Sequence, residues 1–258
     1  MIAPDQRLQD LPFPLLSELR DAAAEHGYRI GPEQAAGWVF FRSATAPAEI
    51  ALAAGGGSGP FFLSVMHRGV AKALDAESTG PAARGHAGAF VFPSLEKLRG
   101  GVSAAYRLSV SLPSFPLEQY EVATRELGDT EGERIQKFRI GQNIFRDALM
   151  EFWSGACAVT GISHPELLRA SHAKPWARCA SNAERLDVFN GLLLSALWDA
   201  AFDSGLVTFG DDGGVIPSPS LSPDARNELA IASVGKLPLR EEHQPYLAFH
   251  RTHIWRAL

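Results

Sequence analysis

Apolar positions in the first half of the chain follow a helical period once and then fall into short strand-like runs. Between residues 13 and 26 they recur on one helix face, which predicts an amphipathic helix that stops at Gly27. Ser94 predicts the N-cap of a further helix. This mixture of helices and strands predicts an α+β domain over residues 1–125. The runs typical of strands are residues 37–42, 49–52, 60–65 and 88–92.

Turn-forming and acidic residues separate this region from the second half of the chain. Residues 112–116 (LPSFP) predict an extended, turn-rich connection, and residues 118–133 are acidic and polar. We therefore place a domain boundary after residue 125, so that the second domain spans residues 126–258.

The second half opens with a long helical pattern. From Arg134, apolar residues such as Phe138, Phe145 and Leu149 share one face of a predicted helix. Residues 157–161 (CAVTG) predict a strand followed by a turn. Further elements are a helix between Ser195 and Gly205, two short strands around GDDGG, and a C-terminal helix in residues 241–258.

Composition and charge narrow the class of protein. The 258 residues are 46% hydrophobic and 21% charged, which is ordinary globular composition, and the formal net charge of −5 gives no basic footprint typical of a dedicated DNA binder. Cys157 and Cys179 form no CxxC pair, so we expect neither a disulfide framework nor structural zinc. The N-terminal residues lack a signal-peptide pattern, and no apolar run approaches the roughly 20 residues needed to cross a bilayer. A cytoplasmic protein with no membrane partner is expected.

Two carboxylates mark the helix between Ser195 and Gly205. Asp199 and Asp203 are four residues apart, so their side chains project from one face of the helix. Like charges at this spacing repel, which favours either a solvated face or a bound cation. Upstream, Arg134, Lys137, Arg139 and Arg146 form the densest basic cluster, which fits equally a solvated helix face and a clamp on backbone phosphates.

Four stretches carry a family resemblance in combination: RIGQNIFR, CAVTGI, LLRASHAKPWA and ERLDVFNGLLLSALWDAAFDSGLVTF. Together they resemble the HNH endonuclease superfamily, and more narrowly the HNH subfamily of many bacterial restriction-type nucleases. The resemblance runs from Arg139 to about Asp212. It implies that the second domain is a ββα-metal HNH nuclease domain with flanking helices.

The resemblance also implies a role for each polar residue of the motifs. His172 matches the general base, and Asn190 matches the residue that positions it. Asp199 and Asp203 match metal ligands on the helix. Ser171 stands before the base and belongs to the predicted metal site. Other branches of the family carry an acid or a histidine there, so water or substrate oxygens are expected to complete the ligand set of the metal ion.

The chemistry of these residue types predicts the cofactor and the partner. Carboxylate oxygens suit Mg²⁺ or Mn²⁺ better than a soft metal. DNA is the expected partner. Double-strand cutting by single-site nucleases of this kind commonly needs two active sites, so a homodimer is one expected arrangement. The residues expected to contact DNA are Arg139, Gln142, Arg146 and Lys174.

Three hypotheses about function remain open at this point. The first is a metal-dependent DNA endonuclease of restriction or defence type, whose N-terminal domain recognises or positions DNA and whose target includes modified bases. The second is a catalytically impaired protein that keeps the HNH fold and binds nucleic acid or regulates; Ser171 and the acidic net charge motivate it. The third is an N-terminal domain that senses a ligand or a protein and controls the nuclease. The histidines of the C-terminal segment, His243, His250 and His253, are expected to be surface or packing residues.

Overall fold

The computed structural model describes residues 7–257. The chain divides into two compact units, Met1–Leu112 and Pro113–Leu258. The division falls before the boundary predicted after residue 125, because the segment predicted to be a connection is a helix of the second unit.

The first unit is built on a five-stranded antiparallel sheet in which each strand pairs with the next along the chain. Its two central strands are almost completely buried, which explains their apolar runs. The first strand is exposed along its whole length and contains Pro32, as an edge strand permits. The sequence pattern does not predict this strand. The strands are β1 (Ile30–Ala35), β2 (Trp38–Arg42), β3 (Glu49–Ala54), β4 (Phe61–Val65) and β5 (Gly88–Phe92).

Helices pack against this sheet and complete an α+β unit. They are α1 (Phe13–Glu25), α2 (Arg68–Ala73) and α3 (Leu95–Ser111). The predicted N-cap is confirmed, since the Ser94 hydroxyl accepts a hydrogen bond from the Lys97 amide at 3.3 Å. Helix α3 contacts β4, β5 and α1, and Arg99 on α3 forms ion pairs with Glu18 and Glu25 of α1.

The second unit begins with two helices, α4 (Ser114–Thr124) and α5 (Glu131–Phe152), which pack on each other. The prediction that residues 112–116 are extended is wrong, because proline is tolerated in the first turn of a helix and Pro116 lies in the first turn of α4. Helix α5 begins where Thr130 and Glu133 form a reciprocal capping box.

A β-hairpin and a helix follow, in the order strand, strand, helix. The strands β6 (Leu168–His172) and β7 (Gly191–Ser195) are antiparallel, with His172 opposite Gly191. The loop between them contains the short helix α6 (Asn182–Arg185), and α7 (Ala196–Asp203) follows β7 directly. Both α5 and α7 contact both strands. The chain therefore contains the ββα arrangement that the resemblance implies.

Residues 157–161 form a turn and not the predicted strand. The turn closes through backbone hydrogen bonds between Cys157 and both Gly161 and Ile162. The Cys157 thiol is buried and accepts amide hydrogen bonds from Thr160 and Ser195. Short apolar runs do not distinguish a strand from a buried turn.

The remaining elements cover the end of α7. The predicted pair of short strands is confirmed as β8 (Val207–Phe209) and β9 (Val215–Pro217), and these are followed by α8 (Pro223–Glu228) and α9 (Gln244–His253). In this C-terminal segment His243 and His250 are buried and His253 is exposed, as expected of packing and surface residues. Within residues 7–257 no helix is long and apolar enough to cross a membrane.

Candidate active site

His172 is the last residue of β6, and its ring lies flat on Phe145 of α5. The ring centroids are 3.8 Å apart with an interplanar angle of 16°. The Nε2 atom of His172 lies 2.9 Å from the carbonyl oxygen of Arg185. A carbonyl only accepts, so Nε2 carries the proton and Nδ1 keeps a free lone pair in the neutral ring. Burial lowers the pKa of His172 to about 4, so the ring is neutral at physiological pH and can accept a proton.

Asn190 is completely buried at the end of the loop that joins the two strands. Its side-chain oxygen accepts a hydrogen bond from the Lys174 amide at 2.8 Å, and its nitrogen donates to the Lys174 and Glu184 carbonyls at 3.1 and 2.9 Å. A further contact reaches the buried Cys179 thiol at 3.4 Å. Asn190 therefore fixes the backbone two residues after His172 and the backbone next to the carbonyl that holds its ring.

Two residues that the sequence analysis missed brace the same loop. Glu184 forms an ion pair with Lys174 at 2.8 Å and accepts a hydrogen bond from the Ala180 amide at 2.7 Å. Arg185 donates to the carbonyls of Trp176 and Cys179. These bonds end mostly on backbone atoms, and backbone partners leave no residue pattern by which the sequence could reveal them.

Ser171 and His172 are neighbours on β6, but their side chains contact different helices. His172 packs on α5, whereas the Ser171 hydroxyl donates to Asp199 Oδ1 on α7 at 2.5 Å. Successive side chains of a strand point to opposite faces, which explains this separation. The structure thus brings Ser171 and Asp199 together, as the predicted metal set requires.

Asp203 stands one helical turn beyond Asp199 and at the edge of the site. Although Asp203 keeps contact with solvent, desolvation of its carboxyl group and the negative charge of Asp199 raise its pKa to about 6. The charge of Asp199 on the same helix face thus adds to the larger effect of desolvation.

A cavity of about 320 Å³ connects the candidate base with one of the carboxylates. His172 and Asp203 both line it, together with Gln142 and Trp176. His250, which the sequence analysis treats as a packing residue, is also in its wall. The Nε2 atom of His250 donates to the Phe202 carbonyl at 3.0 Å, and Nδ1 accepts from the Thr208 hydroxyl at 2.9 Å. Because both nitrogens of His250 are engaged, it supports the wall and is not available as a base or ligand.

The donors near Asp199 fit a hydrated, hard divalent cation. Within residues 7–257 no three His, Cys, Asp or Glu side chains converge in a group that could hold a metal. Two carboxylates and the Ser171 hydroxyl are nevertheless oxygen donors, and Mg²⁺ commonly uses one or two carboxylates and takes its other ligands from water and substrate phosphates. A cation would also favour the charged form of Asp203 against the desolvation and the repulsion by Asp199 that raise its pKa.

The residues expected to contact DNA differ in how the structure uses them. The Arg146 guanidinium donates to the carbonyls of Leu168 and Pro165 at 2.8 and 2.7 Å, so it holds the start of β6. The charge of Lys174 is paired with Glu184. Arg139 is exposed on α5, and Gln142 lines the cavity. A role in DNA binding stays a prediction for all four.

Comparison with known proteins gives one family match. Residues 157–210 match the family model described as HNH endonuclease. This range contains the turn at Cys157, the hairpin β6–β7 and helix α7, together with the five residues that the sequence analysis assigns to the base, its positioner and the metal. A comparison with curated proteins gives no match.

Proposed function

Because residues 157–210 form an HNH endonuclease domain, we propose that this protein is a divalent-metal-dependent DNA endonuclease that hydrolyses phosphodiester bonds. One observation carries the proposal: the His172 ring is held by the Arg185 carbonyl in the tautomer that leaves Nδ1 free, and it shares a cavity with Asp203.

His172 is the general base. With Nε2 bonded to the Arg185 carbonyl, Nδ1 accepts a proton from a water molecule in the cavity, and the resulting hydroxide attacks the phosphorus atom. The stack on Phe145 keeps the ring at a fixed angle to the cavity. The P–O bond to the leaving oxygen breaks as the hydroxide oxygen bonds to phosphorus, and the leaving oxygen takes a proton from a second water molecule.

Asp199 and Asp203 would hold the divalent ion, and the Ser171 hydroxyl orients Asp199. When bound, such an ion acts as a Lewis acid on the phosphate and on the leaving oxygen. Asn190 contributes through the backbone, since its bonds to Lys174 and Glu184 keep the Arg185 carbonyl in reach of His172.

A restriction or defence role, with a modified base among the targets, rests on the resemblance of the four motif stretches to restriction-type HNH nucleases. The first unit would then recognise or position the DNA. A cytoplasmic location and a homodimer belong to the same proposal.

The first experiment measures nicking and linearisation of supercoiled plasmid DNA, methylated and unmethylated. We expect cleavage with added Mg²⁺ or Mn²⁺ and none in EDTA. His172→Ala should reduce the rate about 10²- to 10⁴-fold, which is the usual contribution of a general base. His253→Ala is a matched control, because that histidine is exposed on α9 and away from the cavity lining. Circular dichroism establishes that both variants are folded.

Two results would contradict this proposal in different ways. Undiminished cleavage in EDTA would exclude the metal mechanism, and full activity of His172→Ala would exclude His172 as the base. A second candidate function is a nucleic-acid-binding protein without cleavage, which the presence of Ser171 at a ligand position favours. Binding of DNA by the wild type without cleavage of any substrate would support that alternative.

A further inference from the structure

We propose that the surface beside the cavity binds an unpaired nucleotide, so that the preferred substrate is DNA that is single-stranded or locally unpaired at the cleavage site. This inference rests on the proposed function and specifies its substrate. We define the aromatic edge as Phe138 of α5 and Trp176 of the β6–β7 loop.

Phe138 is exposed where a helix would normally present a polar residue. Its side chain is 47% exposed, and its ring meets Trp176 edge-on, with centroids 5.4 Å apart and an interplanar angle of 79°. Trp176 in turn lines the cavity and meets the His172 ring edge-on at 5.8 Å. The aromatic edge therefore leads from solvent to the candidate base.

Trp176 is held in a fixed position. Gly141 lies inside α5, and a Cβ atom there would collide with the Trp176 ring. Glycine inside a helix is unfavourable, and here the close packing of the indole against the helix backbone explains why a glycine occupies this position. The Arg185 guanidinium lies over the same ring, 5.7 Å from its centroid. An aromatic side chain fixed in this way loses little conformational freedom when it binds a ligand.

Two arginine residues are close in sequence to the two residues of the aromatic edge. Arg139 follows Phe138 on α5, and Arg178 belongs to the same helical turn as Trp176. Both are exposed, and the guanidinium group of neither forms a hydrogen bond or ion pair within the described part of the chain. In contrast, Arg146 and Lys174 are bonded within the protein. Arg139 and Arg178 are thus placed to bind the phosphates on either side of a stacked nucleotide.

Aromatic side chains interspersed with cations are the combination that binds unpaired strands. Each base of an intact duplex already stacks on its neighbours, so an exposed phenyl ring gains little there, whereas an unpaired base offers a free π-face. A base that stacks on Phe138 would place the adjoining phosphate toward the cavity shared by His172 and Asp203.

The experiment uses full-length protein carrying His172→Ala, which prevents turnover, with Mg²⁺ present. Fluorescence anisotropy gives the affinity for three labelled DNAs of one sequence: a single strand, an intact duplex, and a duplex with a central bulge. Adding Phe138→Ala should weaken binding of the single strand and the bulged duplex on the order of 10-fold, and binding of the intact duplex less than about 2-fold. Phe138→Trp should retain the affinity. Val122→Ala is the matched control, because Val122 is 58% exposed on α4.

A 2-aminopurine placed in the bulge reports stacking directly. Its fluorescence should be quenched by the protein with Phe138 and not by the Phe138→Ala variant. Arg139→Gln should weaken all three DNAs and lower the slope of log affinity against log salt by about one.

Equal loss of affinity for all three DNAs, or no change with Phe138→Ala, would overturn this inference and leave the proposed function standing. The proposed function fails separately if the wild type cleaves none of the DNAs, whether or not it binds them. Should Phe138→Ala not fold, Phe138→Trp and Arg139→Gln decide. Quenching retained by Phe138→Trp, together with weaker binding and a lower salt slope for Arg139→Gln, would support the inference. Quenching lost in Phe138→Trp, or unchanged binding by Arg139→Gln, would overturn it.

Discussion

The hydroxyl of Ser171 donates to Asp199, so a serine next to His172 orients this carboxylate. Residues that orient a ligand typically change metal affinity by about 10- to 100-fold when they are removed. The consequence is that Ser171 and Asp199 act together, and that the position of the carboxylate depends on a neutral neighbour.

Ser171→Ala should therefore weaken Mn²⁺ binding by about 10- to 100-fold, because Asp199 loses the hydrogen bond that orients it. Titration followed by electron paramagnetic resonance of free Mn²⁺ measures this without any cleavage. Ser204→Ala is a suitable control, since Ser204 is an exposed residue at the end of α7. Unchanged Mn²⁺ affinity in Ser171→Ala would show that Asp199 does not need the serine.

Among individual residues, the sequence predicts those whose role depends on the chemical type of their own side chain. The resemblance of the motif stretches picks out His172 and Asn190, and helical spacing supports it for the pair Asp199 and Asp203. The structure places His172 with Asp203 and Ser171 with Asp199. Glu184, Arg185 and Trp176 are not predictable in the same way. Their partners are backbone groups, the Lys174 ammonium and ring faces across a folded loop, and these contacts leave no periodic pattern.

Helix α5 supports the site through one glycine. Gly141 lets the Trp176 ring approach the helix backbone, and Phe145, one turn later, carries the His172 ring. A single helix thus sets the positions of the cavity wall and of the candidate base.

Gly141→Ala should lower the free energy of unfolding by up to about 2 kcal/mol. The gain in helix propensity is about 1 kcal/mol, but overpacking against Trp176 costs about 1–3 kcal/mol. Urea unfolding monitored by tryptophan fluorescence measures the difference. Gly132→Ala is the control on the same helix, because nothing lies within 4 Å of its added Cβ, and it should stabilise by about 0.5 kcal/mol. Stabilisation of both variants would mean that the Trp176 ring moves aside without lowering the free energy of unfolding.

Elements with strong periodicity are the ones that sequence predicts. Helices α1 and α5 follow from their apolar spacing. Helix α7 lies between Ser195 and Gly205 as predicted, although the Ser195 side chain makes no capping hydrogen bond. The edge strand β1 and the helix α4 do not, because Pro32 and Pro116 argue locally against regular structure while the tertiary setting tolerates them. The turn at Cys157 resembles a strand in sequence because apolar residues open it.

Across the molecule, burial of neutral histidines in the second unit makes stability depend on pH. Desolvation lowers the pKa values of His172, His243 and His250 to about 4, whereas the unfolded chain titrates near 6.5. Between these values the unfolded state binds more protons, so stability falls as the pH is lowered through this window. Asp203 acts in the opposite direction, since its folded pKa is raised to about 6, but it is one exposed group against three histidines.

The free energy of unfolding should fall between pH 7 and pH 4.5 by roughly 2–3 kcal/mol for each fully buried histidine. Urea midpoints followed by tryptophan fluorescence report mainly the second unit, because of the five tryptophans only Trp38 lies in Met1–Leu112. His250→Gln should reduce the slope against pH, since glutamine does not titrate. Midpoints that stay constant over this range would contradict neutral burial of the three histidines.

Both cysteines of the chain lie within the HNH endonuclease segment, and both thiols are free and buried. Cys157 is at the turn that precedes the hairpin, and Cys179 touches Asn190 in the loop that holds the base. A thiol reagent can modify either sulfur only when that part of the chain opens. The rate of thiol modification therefore reports how often this segment opens. Addition of Mn²⁺ or DNA should lower that rate if they bind the closed form.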